Sequence, residues 1–135
     1  MLICKVVREV AGGNVYKTIF PHAIKHFGVS NNPMALNRTT NEKKSGTYRI
    51  TIRTLDRKEY HLTDESFNYE AVCLLSELIE AKMGLRVLKE RHNDIINKLD
   101  EADKKFFTDI KEGAVMVHSE KLNNTLKQME QILAN

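Results

Sequence analysis

Near residue 63 the spacing of apolar residues changes from every second position to a repeat of three and four, and no single kind of element accommodates both. Alternation by two sends side chains to opposite faces of a strand, whereas the three-four repeat draws one stripe along packed helices. The chain therefore reads as α+β. A small antiparallel sheet of about four strands, with one short helix, is expected ahead of a long helical hairpin or coiled-coil arm. Charge divides at the same place. Residues 1–63 carry eleven Lys and Arg against four Asp and Glu, a net of +7, and residues 64–135 carry ten against fourteen, a net of −4. The expectation is a basic β module (1–63) and a mildly acidic helical hairpin that serves for oligomerisation (64–135), held in one compact unit.

Leu2 to Val10 is rich in β-branched residues, and Gly12-Gly13 permits the positive φ angles of a tight turn before Val15 to Phe20. Pro21 presets the φ of a first helical turn, so His22 to Phe27, followed by Gly28, predicts a short capped helix. Residues 29–46 have no sustained period, and their Ser, Asn, Pro and Gly mark a long loop. From Thr47 to Thr54, Tyr48, Ile50 and Ile52 alternate with Arg49, Thr51 and Arg53; Glu59 to Thr63 returns with Tyr60 and Leu62 on the apolar side. This sheet is expected to have one packed face and one wet face.

Thr63-Asp64-Glu65-Ser66 offers capping side chains and first-turn anions. Ala71, Leu74, Leu78, Ala81, Leu85, Leu88, His92, Ile95, Leu99, Ala102 and Phe106 then form a seam. It predicts one helix to about Lys111, with Asp100 and Lys104 among its exposed pairs four residues apart. Gly113 breaks the pattern, and Val115 to Leu133 predicts a second arm. At 1.5 Å per residue the arms are about 67 and about 28 Å long. Leu74, Leu78 and Leu85 are then left for the sheet or for another copy of the chain to cover, and a homo-oligomer, dimer or higher, is expected. A bend at Met83-Gly84 would favour the sheet.

Apolar runs are short and interrupted by charge, so no segment is expected to span a bilayer, and Met1 to Lys5 lacks a signal peptide's apolar stretch. Cys4 and Cys73 are too few for a disulfide framework and fit reduced thiols in the cytoplasm. No kinase, hydrolase or dinucleotide motif occurs, and Asn41 to Thr47 lacks the glycine spacing of a phosphate loop, although Lys43 and Lys44 could still meet a phosphate. His22 and His26 would share one face of the predicted helix. A metal there would need a third ligand such as His61, and polar surface histidines are the simpler reading. His92 sits in the seam between Leu88 and Ile95, where it reads as a histidine satisfied by a partner, with a pH switch as the alternative.

The main candidate is the wet face of the second hairpin. Arg49, Arg53 and His61 project there, Arg57 and Lys58 sit at its turn, and Arg38, Lys43 and Lys44 come from the preceding loop. Arg49 and Arg53 would stand about 13 Å apart at 3.3 Å per residue, a reach suited to separate phosphates. Arginine grips phosphate bidentately. No catalytic set, metal or cofactor is indicated. The expected function is non-catalytic binding of a phosphate-bearing ligand, a nucleic acid or a nucleotide that is sequestered or sensed. Accessory proteins of phages and mobile elements are often small chains of this kind. The alternative is a protein-interaction adaptor or inhibitor acting through the helices. An enzyme comes third and would assemble its site from His22, His26, His61 and the 29–46 loop.

Overall fold

Tyr48, Ile50 and Ile52 turn one face of their strand toward the core, and that strand, β4 (Thr47–Thr54), is the centre of the fold. The computed structural model describes residues 2–9, 13–32, 46–108 and 115–134. Antiparallel pairing joins β4 to β3 (Ile24–Asn32) on one side and to β5 (Glu59–His61) on the other. Beyond β5 the sheet continues to β1 (Leu2–Glu9) and β2 (Gly13–Ile19), giving the order β2-β1-β5-β4-β3. Arg8 and Glu9 of β1 pair with β5, while Leu2 to Lys5 pair in parallel with β6 (Val115–His118). The described sheet thus has six strands where about four were expected.

The two additional strands come from segments expected to be helix or loop. In place of a helix over His22 to Phe27 there is one 3-10 turn, Pro21–Ala23, and the chain then enters β3. Ile24, Phe27 and Val29 pack against the core from this strand. Pairing with β4 satisfies its backbone, whereas an isolated helix of six residues cannot nucleate. Val115 to His118 likewise join β1 instead of opening the second helical arm. Of the predicted 29–46 loop, residues 33–45 lie outside the described residues, and Arg38, Lys43 and Lys44 with them.

The long helix expected to reach Lys111 is three helices, α1 (Tyr69–Lys82), α2 (Glu90–Lys98) and α3 (Glu101–Thr108), followed by α4 (Ser119–Ala134). Capping chemistry explains both ends of α1 and the junction of α2 with α3. Ser66 is held extended by a two-way backbone bridge to Tyr48 at 2.8 Å, so the cap falls to Asn68, whose Oδ1 accepts from the Ala71 N–H at 3.1 Å. α1 ends at Gly84, φ 79°, where the Gly84 N–H donates to Ala81 O at 3.0 Å and the Leu85 N–H to Glu80 O at 2.9 Å. This pair of bonds is a Schellman closure, and it needs a left-handed residue. Gly84→Ala meets no steric neighbour, yet it should destabilise by about 1 kcal/mol through φ alone, read as a lower urea midpoint at unchanged slope.

Between α2 and α3, Asp100 is a cap and not the exposed partner of Lys104. Its Oδ1 accepts from the Asp103 N–H at 2.9 Å, and Gln128 of α4 donates to the Asp100 and Asp103 carboxylates at 2.8 Å each. The hydrogen bond from the Asp103 amide, partly opposed by desolvation and aided by Gln128, holds the Asp100 carboxyl below the usual value. A single α4 residue therefore fixes the junction of two helices.

The core lies between the inner face of the sheet, α1 and α4. Ile50, Ile52, Tyr60 and Leu62 meet Val72, Leu75, Leu78 and Ile79, and Leu122, Leu126, Met129 and Phe107 close the far side. Full burial of Val72, Leu75 and Ile79 beside Leu78 makes the apolar face of α1 far wider than a coiled-coil stripe. Leu74 and Leu78 are consequently covered within one chain, the alternative in which the sheet closes the seam. Leu85, beyond the Gly84 cap, is 54% exposed. No helix among the described residues is long and apolar enough to cross a membrane.

Candidate anion-binding site

The β4–β5 turn is built by Thr54. Its N–H donates to Lys58 O at 3.0 Å, its carbonyl accepts from the Arg57 N–H at 3.0 Å, and its hydroxyl donates to the Asp56 carboxylate. This is a type I turn closed by one left-handed residue, and that residue is Arg57, φ 64°. Among the described residues it alone adopts positive φ without being glycine. Such a conformation costs roughly 1–2 kcal/mol for a residue with a Cβ.

A second irregularity lies beside it. Ile24 pairs with Thr54 and His26 with Arg53, so Lys25 is the extra residue of a β-bulge. Bulges re-aim a side chain that regular alternation would send elsewhere. Here Lys25 joins Arg53, Thr54, Leu55, Arg57, Lys58 and Glu59 around a cavity of about 480 Å³. The lining holds four cations and one carboxylate. Glu59 Oε1 lies 3.9 Å from Arg53 Nε and 3.8 Å from His61 Nε2, so its charge is shared along the rim. The Arg53 side chain remains 61% exposed.

No protein-family model, no curated protein and no solved structure matches the chain.

The residues expected to form the site fall into two groups. Arg53, Arg57 and Lys58 come together at the cavity. Arg49 and His61 belong to an adjoining network. The Arg49 guanidinium is ion-paired with Glu65 and donates to His61 Nδ1 at 2.8 Å, and its side chain is only 19% exposed. Because a guanidinium can only donate, His61 Nδ1 accepts, which leaves the proton of the neutral ring on Nε2, toward Glu59. The pairing ties β4 to the segment ahead of α1. Nor is this face uniformly wet: Thr51 is fully buried, with its hydroxyl 2.6 Å from Ser30 Oγ and His61 directly opposite. Arg38, Lys43 and Lys44 lie outside the described residues.

A helix over His22 to Phe27 gives Lys25 no place at this turn, and the strand found there does. The available signal was Phe27-Gly28-Val29-Ser30, an alternation by two that continues into β3. His22 and His26, expected on one helical face, are separated in the same way. His22 stacks on Phe20 in the 3-10 turn, with ring centroids 5.6 Å apart, while His26 lies on β3 above Gly28.

Proposed function

We propose that the protein is a non-catalytic binder of a phosphate-bearing ligand, with the cavity of Lys25, Arg53, Arg57 and Lys58 as the receiving site. One observation carries this reading: two independent backbone irregularities, the bulge at Lys25 and the left-handed Arg57, each place a cation on the same cavity. A turn selected for stability alone would put Gly or Asn where Arg57 stands. Strain retained at a charged residue points toward function. The cavity volume falls within the range of small-molecule sites, and the cation excess suits a group with more than one negative charge.

Titrating the purified protein with sodium tripolyphosphate and with a short oligothymidylate tests the site. Arg53→Ala should weaken binding by about 1.5–3 kcal/mol if its contact is direct, with stability changed by less than about 0.5 kcal/mol. Arg57→Gly separates binding from folding more sharply. It should bind more weakly while its stability is unchanged or raised by up to about 1 kcal/mol, since glycine carries no penalty at that φ. If neither probe binds, or both variants bind as the unmodified chain does, the reading is wrong.

A second reading, a protein-interaction module, is favoured by exposed Leu85 and Val87 in the connection between α1 and α2. A polypeptide that co-purifies with the unmodified chain and is lost on Leu85→Asp would support it.

A further inference from the structure

We infer that the phosphate-bearing ligand is a single-stranded nucleic acid, with a base stacked on Phe20 while neighbouring phosphates occupy the cation cavity; this rests on the reading of that cavity given above. Phe20 is 47% exposed, and its ring lies nearly parallel to that of His22, at 18°. The two rings therefore form a preoriented aromatic pair at the surface. Their position is set by backbone bonds: the Ala23 N–H donates to Phe20 O at 2.9 Å, and the Leu55 N–H donates to Ala23 O at 2.9 Å. Leu55 itself lines the cavity and is exposed. A turn of under about 7 Å and one strand spacing of about 4.8 Å keep the backbone of residue 20 within about 12 Å of residue 55.

This juxtaposition selects among phosphate chemistries. An inorganic polyphosphate or a phosphosugar would use the four cations and leave the aromatic pair idle. Nucleotide units in a chain supply both a π-face and several phosphates, the pairing on which sequence-tolerant single-strand binding is built. In a duplex the bases are already stacked on one another and their faces are unavailable. Stacking uses the face of a base, which every base presents, so little sequence preference is expected. Two or three phosphate contacts would give a slope of log affinity against log salt of only about −1.5 to −2.

Fluorescence anisotropy with a labelled twelve-residue oligothymidylate, an abasic strand of the same length and a duplex of the same length tests the inference. Thymidylate should bind the unmodified protein about tenfold more tightly than the abasic strand, and more tightly than the duplex. Phe20→Ala should weaken thymidylate binding about tenfold and leave abasic binding unchanged, and Phe20→Trp should restore the difference. Equal affinity of the unmodified protein for the thymidylate and abasic strands overturns the stacking inference even if Phe20→Ala fails to fold. In that case binding that still falls with salt and with Arg53→Ala leaves the phosphate site standing. Absence of binding by every strand and by tripolyphosphate overturns both.

Discussion

Leu78→Asp is expected to leave the chain unable to fold, while Leu85→Asp is expected to change stability by less than about 0.5 kcal/mol. Both leucines belong to one seam in the sequence, but Leu78 is fully buried among core residues and Leu85 is exposed beyond the Gly84 cap. An aspartate at 78 would bring an unpaired carboxylate into a space without polar partners. That penalty is several kcal/mol, on top of the lost packing, against a total stability of about 5–15 kcal/mol for a domain. Far-UV circular dichroism and urea unfolding of the two single variants give the comparison. A soluble, folded Leu78→Asp chain that sediments as a smaller species than the unmodified protein would show the seam to be covered by a second copy instead.

His92→Ala should destabilise by about 3 kcal/mol, more than any substitution on the opposite, exposed side of α2. His92 is fully buried, and both ring nitrogens are engaged. Nδ1 accepts from the Lys89 N–H at 2.9 Å, the part that Glu or Gln plays in a capping box, so Nε2 carries the proton and donates to Glu77 Oε2 at 2.6 Å. Alanine would orphan the Lys89 amide, take one donor from the Glu77 carboxylate, which keeps Arg91, and leave a void. Burial pushes the Glu77 carboxyl up, but the hydrogen bond from His92, the charge of Arg91, and the further effect of His92 and Arg86 together hold it below the ordinary value. A lowered carboxyl contributes stability that is present above its unfolded value and lost as pH falls through the folded one. Stability should therefore decline below the usual carboxylate range, and His92→Ala should flatten that decline. His92→Gln, which keeps an acceptor for Lys89, should lose less. An unchanged urea midpoint in His92→Ala would remove this cluster from the account of stability.

Particular residues show what could be read from the chain alone. The alternation of Tyr48, Ile50 and Ile52 gave the β4–β5 hairpin, and the polar-partner reading of His92 anticipated its contact with Glu77. The helix breaks were hidden because burial keeps its rhythm across them. Ala81, His92, Ile95 and Leu99 are all buried, although two helix axes carry them. Asp100 suited both a mid-helix pair with Lys104 and a cap, and reach to Gln128 of α4 decided the matter. At the site, alternation named the face but not the partners. Arg49 and Arg53 leave the same strand, yet Glu65 and His61 engage the first while the second opens onto the cavity. Lys25 enters through a bulge, a feature of register between two strands that a single segment does not reveal.

The pairing of β1 with β6 sets an order of events during synthesis. Leu2 to Lys5 emerge from a ribosome more than a hundred residues ahead of their parallel neighbours Val115 to His118. At about 5–20 residues per second, that edge waits roughly 5–20 s for its partner. The pairings that join β3, β4 and β5 to one another are nearer in sequence and can form meanwhile. Closure of the first strand is thus a late, long-range step, and the nascent chain carries an open strand edge until residue 118 is available.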